Sequence, residues 1–138
     1  RIDILLEDAS RPPCYVEVKN VHLGRVAGLA EFPDCRTERG VKHLAEMSDM
    51  VRAGARAVMV YLVQRQDCDR FAIARDIDPT YGEALDMAVA AGVETLAIAC
   101  RLSAAEIVAE RLLPLVLSPV AGSAAPPVAG KRRRQQTG

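Results

Sequence analysis

The sequence predicts an α/β layered domain with a mixed central sheet flanked by helices. Three observations carry that expectation. Near the start of the chain two apolar alternating runs are separated by the turn-rich stretch Glu7-Asp8-Ala9-Ser10-Arg11-Pro12-Pro13, the pattern of a β-hairpin. Farther on, Ala57-Val58-Met59-Val60-Tyr61-Leu62-Val63 is continuously apolar, as in a strand buried on both faces. On either side of that run lie segments with helical periodicity and clear end signals. A hairpin followed by strand, helix and strand units is the order of a layered α/β fold.

Residues 2 to 7 and 14 to 22 are read as the two strands of the hairpin. Gly24 to Cys35 is read as a loop, with Gly24, Gly28 and Pro33 as breakers. Glu38 to Ala53 is a helix, with Val41, Leu44, Ala45, Met47, Ser48 and Val51 at helical spacing and Gly54 as the stop. Arg56 to Gln64 is the buried strand. Gln66 to Ile77 is a charged loop with an apolar patch at Phe71-Ala72-Ile73. Asp78 caps a second helix, Pro79 takes its first position, and Gly92 ends it after Ala91. Val93 to Arg101 is a further strand, and Arg111 to Leu117 a final short one. No internal repeat is present.

From Ser118 the character changes. Residues 118 to 130 are small and rich in proline, glycine and alanine, with nothing larger than valine, and are expected to be a disordered tail. Lys131-Arg132-Arg133-Arg134 ends it. The whole chain of 138 residues is formally neutral, with 18 basic and 18 acidic residues. Taking away those four basic residues leaves 14 against 18, a formal −4 over residues 1 to 130. This is not a nucleic-acid-binding coat, so any DNA contact is expected to come from a local patch, from the tail or from a domain missing from this chain. The tail cluster is open to two readings, phosphate attraction or passive solubilisation.

Half of the residues are apolar, tryptophan is absent, and aromatics make up 4%. The core must therefore be built from aliphatic side chains and methionine. The apolar runs fall far short of the ~18 residues of a membrane span, so no membrane partner is expected. The four cysteines form no Cys-x-x-Cys pair and neither histidine has zinc-finger spacing, which excludes a structural zinc site and a disulfide framework. Cys14 and Cys100 lie in apolar runs and are expected to be buried. Reduced thiols fit a cytoplasmic protein.

The functional signal lies in Cys14-Tyr15-Val16-Glu17-Val18-Lys19-Asn20. Strand alternation puts Glu17 and Lys19 on one face and Val16 and Val18 on the other. A turn centred near Ser10 brings Asp3 opposite or diagonal to Glu17. Two carboxylates and a lysine then converge. Oxygen ligands from Asp3 and Glu17, with the Val18 carbonyl, suit a hard cation, Mg2+ or Mn2+. Such an ion lowers the pKa of a bound water and offsets charge on a phosphoryl group, and Lys19 stands ready to orient the nucleophile. Asp, a gap, then Glu-x-Lys is the signature of a metal-dependent nuclease superfamily. The plainer reading is a structural Glu17–Lys19 pair on an edge strand with Asp3 unrelated.

Several separated stretches carry a resemblance to a known family. They are Arg1-Ile2-Asp3, Cys14 to Lys19, Phe32-Pro33-Asp34, Thr37-Glu38-Arg39-Gly40, Lys42-His43-Leu44, Arg56-Ala57-Val58, Ile77-Asp78 and Gly92-Val93-Glu94. In this order and spacing the chain resembles the C-terminal part of the sugar fermentation stimulation protein A family of bacteria, over about residues 1 to 117. The resemblance implies a restriction-endonuclease-like domain at 1 to 117, with residues 118 to 138 as the basic tail. It also implies that the family's N-terminal oligonucleotide-binding-type domain is absent, and the chain, which begins with Arg1, is expected to be a fragment. DNA is the partner it implies, and the oligomeric state stays open.

The helix beginning near Thr37 offers an anion site through its free N–H groups and dipole. Arg39, Lys42 and His43 are candidate phosphate contacts, with Glu38 able to approach a metal. The competing reading is a solvated helix face with a Lys42–Glu46 pair. His43 is read as a surface residue, since nothing in the sequence places it near Glu17. Gln64, at the end of the central strand, is a further candidate DNA contact. A structural or protein-interaction domain is allowed by the neutral charge but leaves Asp3, Glu17 and Lys19 unexplained, and two functions stand ahead of it. One is a DNA-binding protein with a Mg2+-dependent site of Asp3, Glu17, Val18 and Lys19 that hydrolyses phosphodiesters. The other is a non-catalytic DNA-binding regulator of sugar-utilisation genes, as the family name implies.

Overall fold

The computed structural model describes residues 2–116. The proposed tail, 118 to 138, lies outside the described residues. The elements are β1 (Ile4–Asp8), β2 (Arg11–Val21), β3 (Leu23–Val26), β4 (Gly28–Phe32), α1 (Glu38–Arg52), β5 (Arg56–Val63), β6 (Cys68–Ile73), α2 (Pro79–Ala91), β7 (Glu94–Leu102), β8 (Ile107–Leu113) and β9 (Leu115–Val116). They form a mixed α/β domain with two sheets, ordered β1-β2-β5-β7-β8 and β3-β4-β6-β9.

The hairpin forms where the turn chemistry placed it. Asp8 Oδ1 accepts from both the N–H and the hydroxyl of Ser10, at 2.7 and 2.6 Å, closing the turn with its own side chain. β1 pairs antiparallel with β2 through Ile4↔Val16 and Leu6↔Cys14, and β2, β5 and β7 run parallel. The five-stranded sheet therefore has two distinct faces. Alternate residues of β5 (Ala57, Met59, Tyr61 and Val63) join Leu44 and Met47 of α1 and Tyr81, Leu85 and Ala88 of α2 in the main core. Ala30 and Phe71, from the second sheet, belong to the same cluster. The intervening residues, Val58 with Cys14 and Val16, make a smaller cluster on the opposite face. That outer face carries a shallow depression of about 460 Å³ lined by Ile4, Leu6, Cys14, Val16, Val58, Val60 and Leu96.

Two sequence expectations are corrected here. Gly24 to Cys35 is not a loop, because β3 and β4 pair across it. Gly28 supplies the turn with φ 78°, a conformation that glycine adopts without the strain a Cβ would bring. Gln66 to Ile77 is not a loop either, because β6 pairs parallel with β4. The short strands of this second sheet are held by charge as much as by apolar alternation. The Arg25 guanidinium forks onto Glu31 at 2.7 and 2.9 Å and onto Asp76 at 2.6 and 2.9 Å. The same guanidinium holds the Asp76 carboxyl down to about 2. The final strand also begins earlier than expected: β8 starts at Ile107, and β9 crosses to the second sheet.

Both helices begin and end on the predicted signals. Thr37 caps α1 by accepting from the Gly40 N–H at 3.0 Å, and α2 closes at Gly92 with φ 107°. Asp78 does more than cap α2. Its Oδ1 accepts from the Tyr81 N–H at 3.0 Å and its Oδ2 from the Thr37 N–H at 2.8 Å, so one buried carboxylate joins the starts of both helices. Loss of an ordinary cap costs about 1 kcal/mol, and here a second donor is orphaned. Asp78→Ala is expected to destabilise by about 2–3 kcal/mol in urea unfolding. A loss within error of zero would show that water satisfies both donors. Among the described residues no helix is long and apolar enough to cross a membrane.

Candidate functional site

Glu17 and Lys19 project from β2 to the core-facing side of the large sheet, in register with Met59 and Tyr61 of β5. Glu17 is only 3% exposed. A carboxylate so placed is costly unless donors or a cation meet it. One of its oxygens is well served. Oε1 lies 3.1 Å from Lys19 Nζ and 2.6 Å from His43 Nδ1. Oε2 is buried and has no hydrogen-bond partner among the described residues.

Asp3 precedes β1. The register Ile4↔Val16 carries it alongside Glu17, and its Oδ2 accepts the Val18 N–H at 2.9 Å. Asp3 is exposed and anchored to the β2 backbone, while Glu17 is buried beneath α1. Among the described residues no three His, Cys, Asp or Glu side chains converge as a closed metal cage. Asp3, just before β1, and Glu17 of β2 are carboxylates at facing positions, and oxygen donors of this type are those a hard cation takes.

His43 is where the structure departs most from expectation. It is not a surface residue but is 8% exposed, on the inner face of α1 with Gly40, Leu44, Met47 and Ser48. Its ring lies between two residues singled out from sequence. Nδ1 meets Glu17, and Nε2 lies 3.5 Å from Arg39 Nε, one helical turn back. The stripe read from sequence, Val41, Leu44, Ala45, Met47, Ser48 and Val51, does not contain His43, yet position 43 shares a helical face with 40, 44, 47 and 48. Gly40 permits the close approach of the two helices: a Cβ there would meet the Thr37 side chain at 2.9 Å and the Tyr81 ring at 3.0 Å.

The other candidates are more dispersed. Lys42 and Glu38 are exposed on the first turns of α1, and the Lys42–Glu46 pair is not among the ion pairs formed by the described residues. Gln64 donates to Asn20 Oδ1 at 3.2 Å, tying the ends of β5 and β2 beyond Lys19. Behind the site, Tyr61 and Tyr81 share a 2.6 Å hydroxyl contact in the core. Burial pushes both phenols up, and the Glu17 charge adds to the effect at Tyr81.

Residues 1–106 match the model of the sugar fermentation stimulation protein RE domain. The chain belongs to the sugar fermentation stimulation protein family. Among related sequences, the homolog of Sinorhizobium medicae is 60% identical over 109 residues, covering 79% of this chain and 46% of that one. The homolog of Azorhizobium caulinodans is 57% identical over 116 residues, 84% and 49% of the two chains. A solved structure of Pyrococcus furiosus SfsA in complex with Ca2+ is similar with a TM-score of 0.77 at 31% identity, over 84% of this chain and 50% of that chain. The chain thus spans about half the length of the relatives it matches.

Proposed function

We propose that this domain binds a divalent cation, Mg2+ or Mn2+, at Asp3, Glu17 and the Val18 carbonyl, and hydrolyses phosphodiester bonds of DNA. The carrying observation is Glu17 Oε2, a buried carboxylate oxygen without a donor among the described residues. A protein surface built only to face phosphates gains nothing from carboxylates there, since like charges repel. The Ca2+ held by the Pyrococcus furiosus relative supports a hard-cation site, and the matched family model supports a restriction-endonuclease-like layering. A bound cation would activate a water and offset phosphoryl charge.

The chain's own groups have separable tasks in this reading. Glu17 offers Oε2, and Asp3 offers the oxygen not used by the Val18 N–H. Lys19, 3.1 Å from Glu17 on the same strand face, positions the attacking water or meets the developing charge. Arg39 and Lys42, on the exposed first turns of α1, contact the DNA backbone, where the helix dipole also favours anions. Gln64 borders the same strand ends. The free thiols suit the reducing bacterial cytoplasm. One observation favours the non-catalytic regulator instead: the absence, among the described residues, of a third acidic or imidazole ligand.

Calorimetric titration of the chain with Mg2+ and with Mn2+, with and without a DNA duplex, tests the proposal. One cation per chain, bound more tightly with DNA, and plasmid nicking abolished by chelator are expected. Cation binding without nicking would favour the regulator. No cation binding with or without DNA would defeat both the site and the reaction.

A further inference from the structure

The contacts around Glu17 oxygen Oε1 determine which proton sits where. A carboxylate only accepts, so the 2.6 Å contact to His43 requires the proton on Nδ1. Lys19 Nζ, 3.1 Å from both Nδ1 and Glu17 Oε1, then cannot donate to the ring. Lysine and histidine share the one carboxylate oxygen instead of bonding to each other. On the other side of the ring, Nε2 accepts from Arg39 Nε, the donor that faces it at 3.5 Å. The sequence of donors runs Arg39 to His43 to Glu17.

We propose that His43 is a positioning residue for the cation site, its Nδ1–H held by Glu17 and its Nε2 faced by Arg39. The inference rests on the cation reading above and adds to it how Glu17 is aimed. Both donors act on Oε1, so the carboxylate is held in one rotamer with Oε2 left over for a ligand. Without the ring, the lysine alone, on a flexible stem, no longer fixes the plane of the carboxylate. The ring acts on the direction of the carboxylate, through the Nδ1–H held at 2.6 Å from Oε1. Arg39 thereby has a task beyond phosphate contact, seen even when DNA is absent.

His43→Leu keeps an apolar side chain of similar size on the inner face of α1 and removes the donor. His43→Asn places an amide N–H near the position of Nδ1. Partners that orient metal ligands typically change affinity by about 10–100-fold when removed. Mn2+ titration of the full chain without DNA is therefore expected to show His43→Leu weakened by about 10–100-fold, His43→Asn largely restored, and Arg39→Gln weakened by a smaller factor. Independently of any cation, nitrogen NMR of the wild-type ring should show the Nδ1–H tautomer, and Arg39→Gln should leave it in place, since the Glu17 contact fixes it. Wild-type affinity in His43→Leu, beside lost affinity in Glu17→Gln, would overturn the positioning role and leave the cation site standing. An Nε2–H ring in the wild type would overturn the tautomer assignment. Failure of wild-type protein to bind Mn2+ would remove the cation reading and this inference with it.

Discussion

Tyr61→Ala is expected to cost about 3–5 kcal/mol of folding stability, a large share of the roughly 5–15 kcal/mol that holds an ordinary domain together. Tyr61 has no exposed surface and sits where all the layers meet. Its ring stacks on Phe71 of the second sheet with centroids 4.6 Å apart and tilts against Phe32 at 5.5 Å. Its hydroxyl touches that of Tyr81 on α2 at 2.6 Å. Truncation opens a cavity between both sheets and α2, and leaves the Tyr81 hydroxyl buried without its partner. Tyr61→Phe isolates the second effect. It retains the stacking and should cost about 1–3 kcal/mol, the penalty of an unsatisfied buried group. Urea unfolding of both variants gives the comparison. An alanine variant within about 1 kcal/mol of wild type would show that this junction collapses around the gap.

The two aromatic partners of Tyr61 also explain which parts of the fold were legible. The large sheet was readable because its signals are local. The Asp8–Ser10 turn sets the hairpin, an unbroken apolar run marks β5, and Thr37, Asp78 and Gly92 mark helix ends by side-chain and backbone chemistry confined to one turn. The second sheet was not readable. Leu23–Val26 and Gly28–Phe32 are four and five residues long, rich in glycine and charge, and read individually as a loop. What makes them strands is nonlocal: Arg25 reaching Asp76, and Phe71 finding Tyr61 across the core. Asp76, one of the charges that marked Gln66 to Ile77 as a loop, is the one that Arg25 of β3 reaches.

The site divides in the same way. Alternation placed Glu17 and Lys19 on one face, and the hairpin set Asp3 alongside Glu17, since both relations are fixed by pairing within about fifteen residues. His43 lies 26 positions from Glu17 and reaches it only because α1 crosses over β2. No spacing rule encodes that crossing. The histidine's burial could have been suspected from its place between Gly40 and Met47, but its partner could not.

Glu17→Gln and Lys19→Ala should separate the two tasks assigned to this strand face. Glutamine keeps the shape of Glu17, removes its charge and turns one oxygen into a donor, so divalent-cation binding should be lost. It also sets an N–H against Lys19 and His43 unless the amide turns its oxygen towards them, which would point the amide nitrogen at the ion. Either orientation opposes a cation. Lys19→Ala acts differently. It removes a positive charge 3.1 Å from Glu17 while His43 still holds the same oxygen, so cation affinity should be retained or increased. Turnover should fall about 10²–10³-fold, the usual effect of removing one group that stabilises developing charge. Cation titration and plasmid nicking on the same preparations read the two effects, with circular dichroism confirming that both variants are folded. Lys19→Ala nicking DNA at the wild-type rate would exclude the ammonium from the reaction and leave it as the partner that lets β2 carry a buried carboxylate. Glu17→Gln binding Mn2+ as wild type does would move the cation away from β2 altogether.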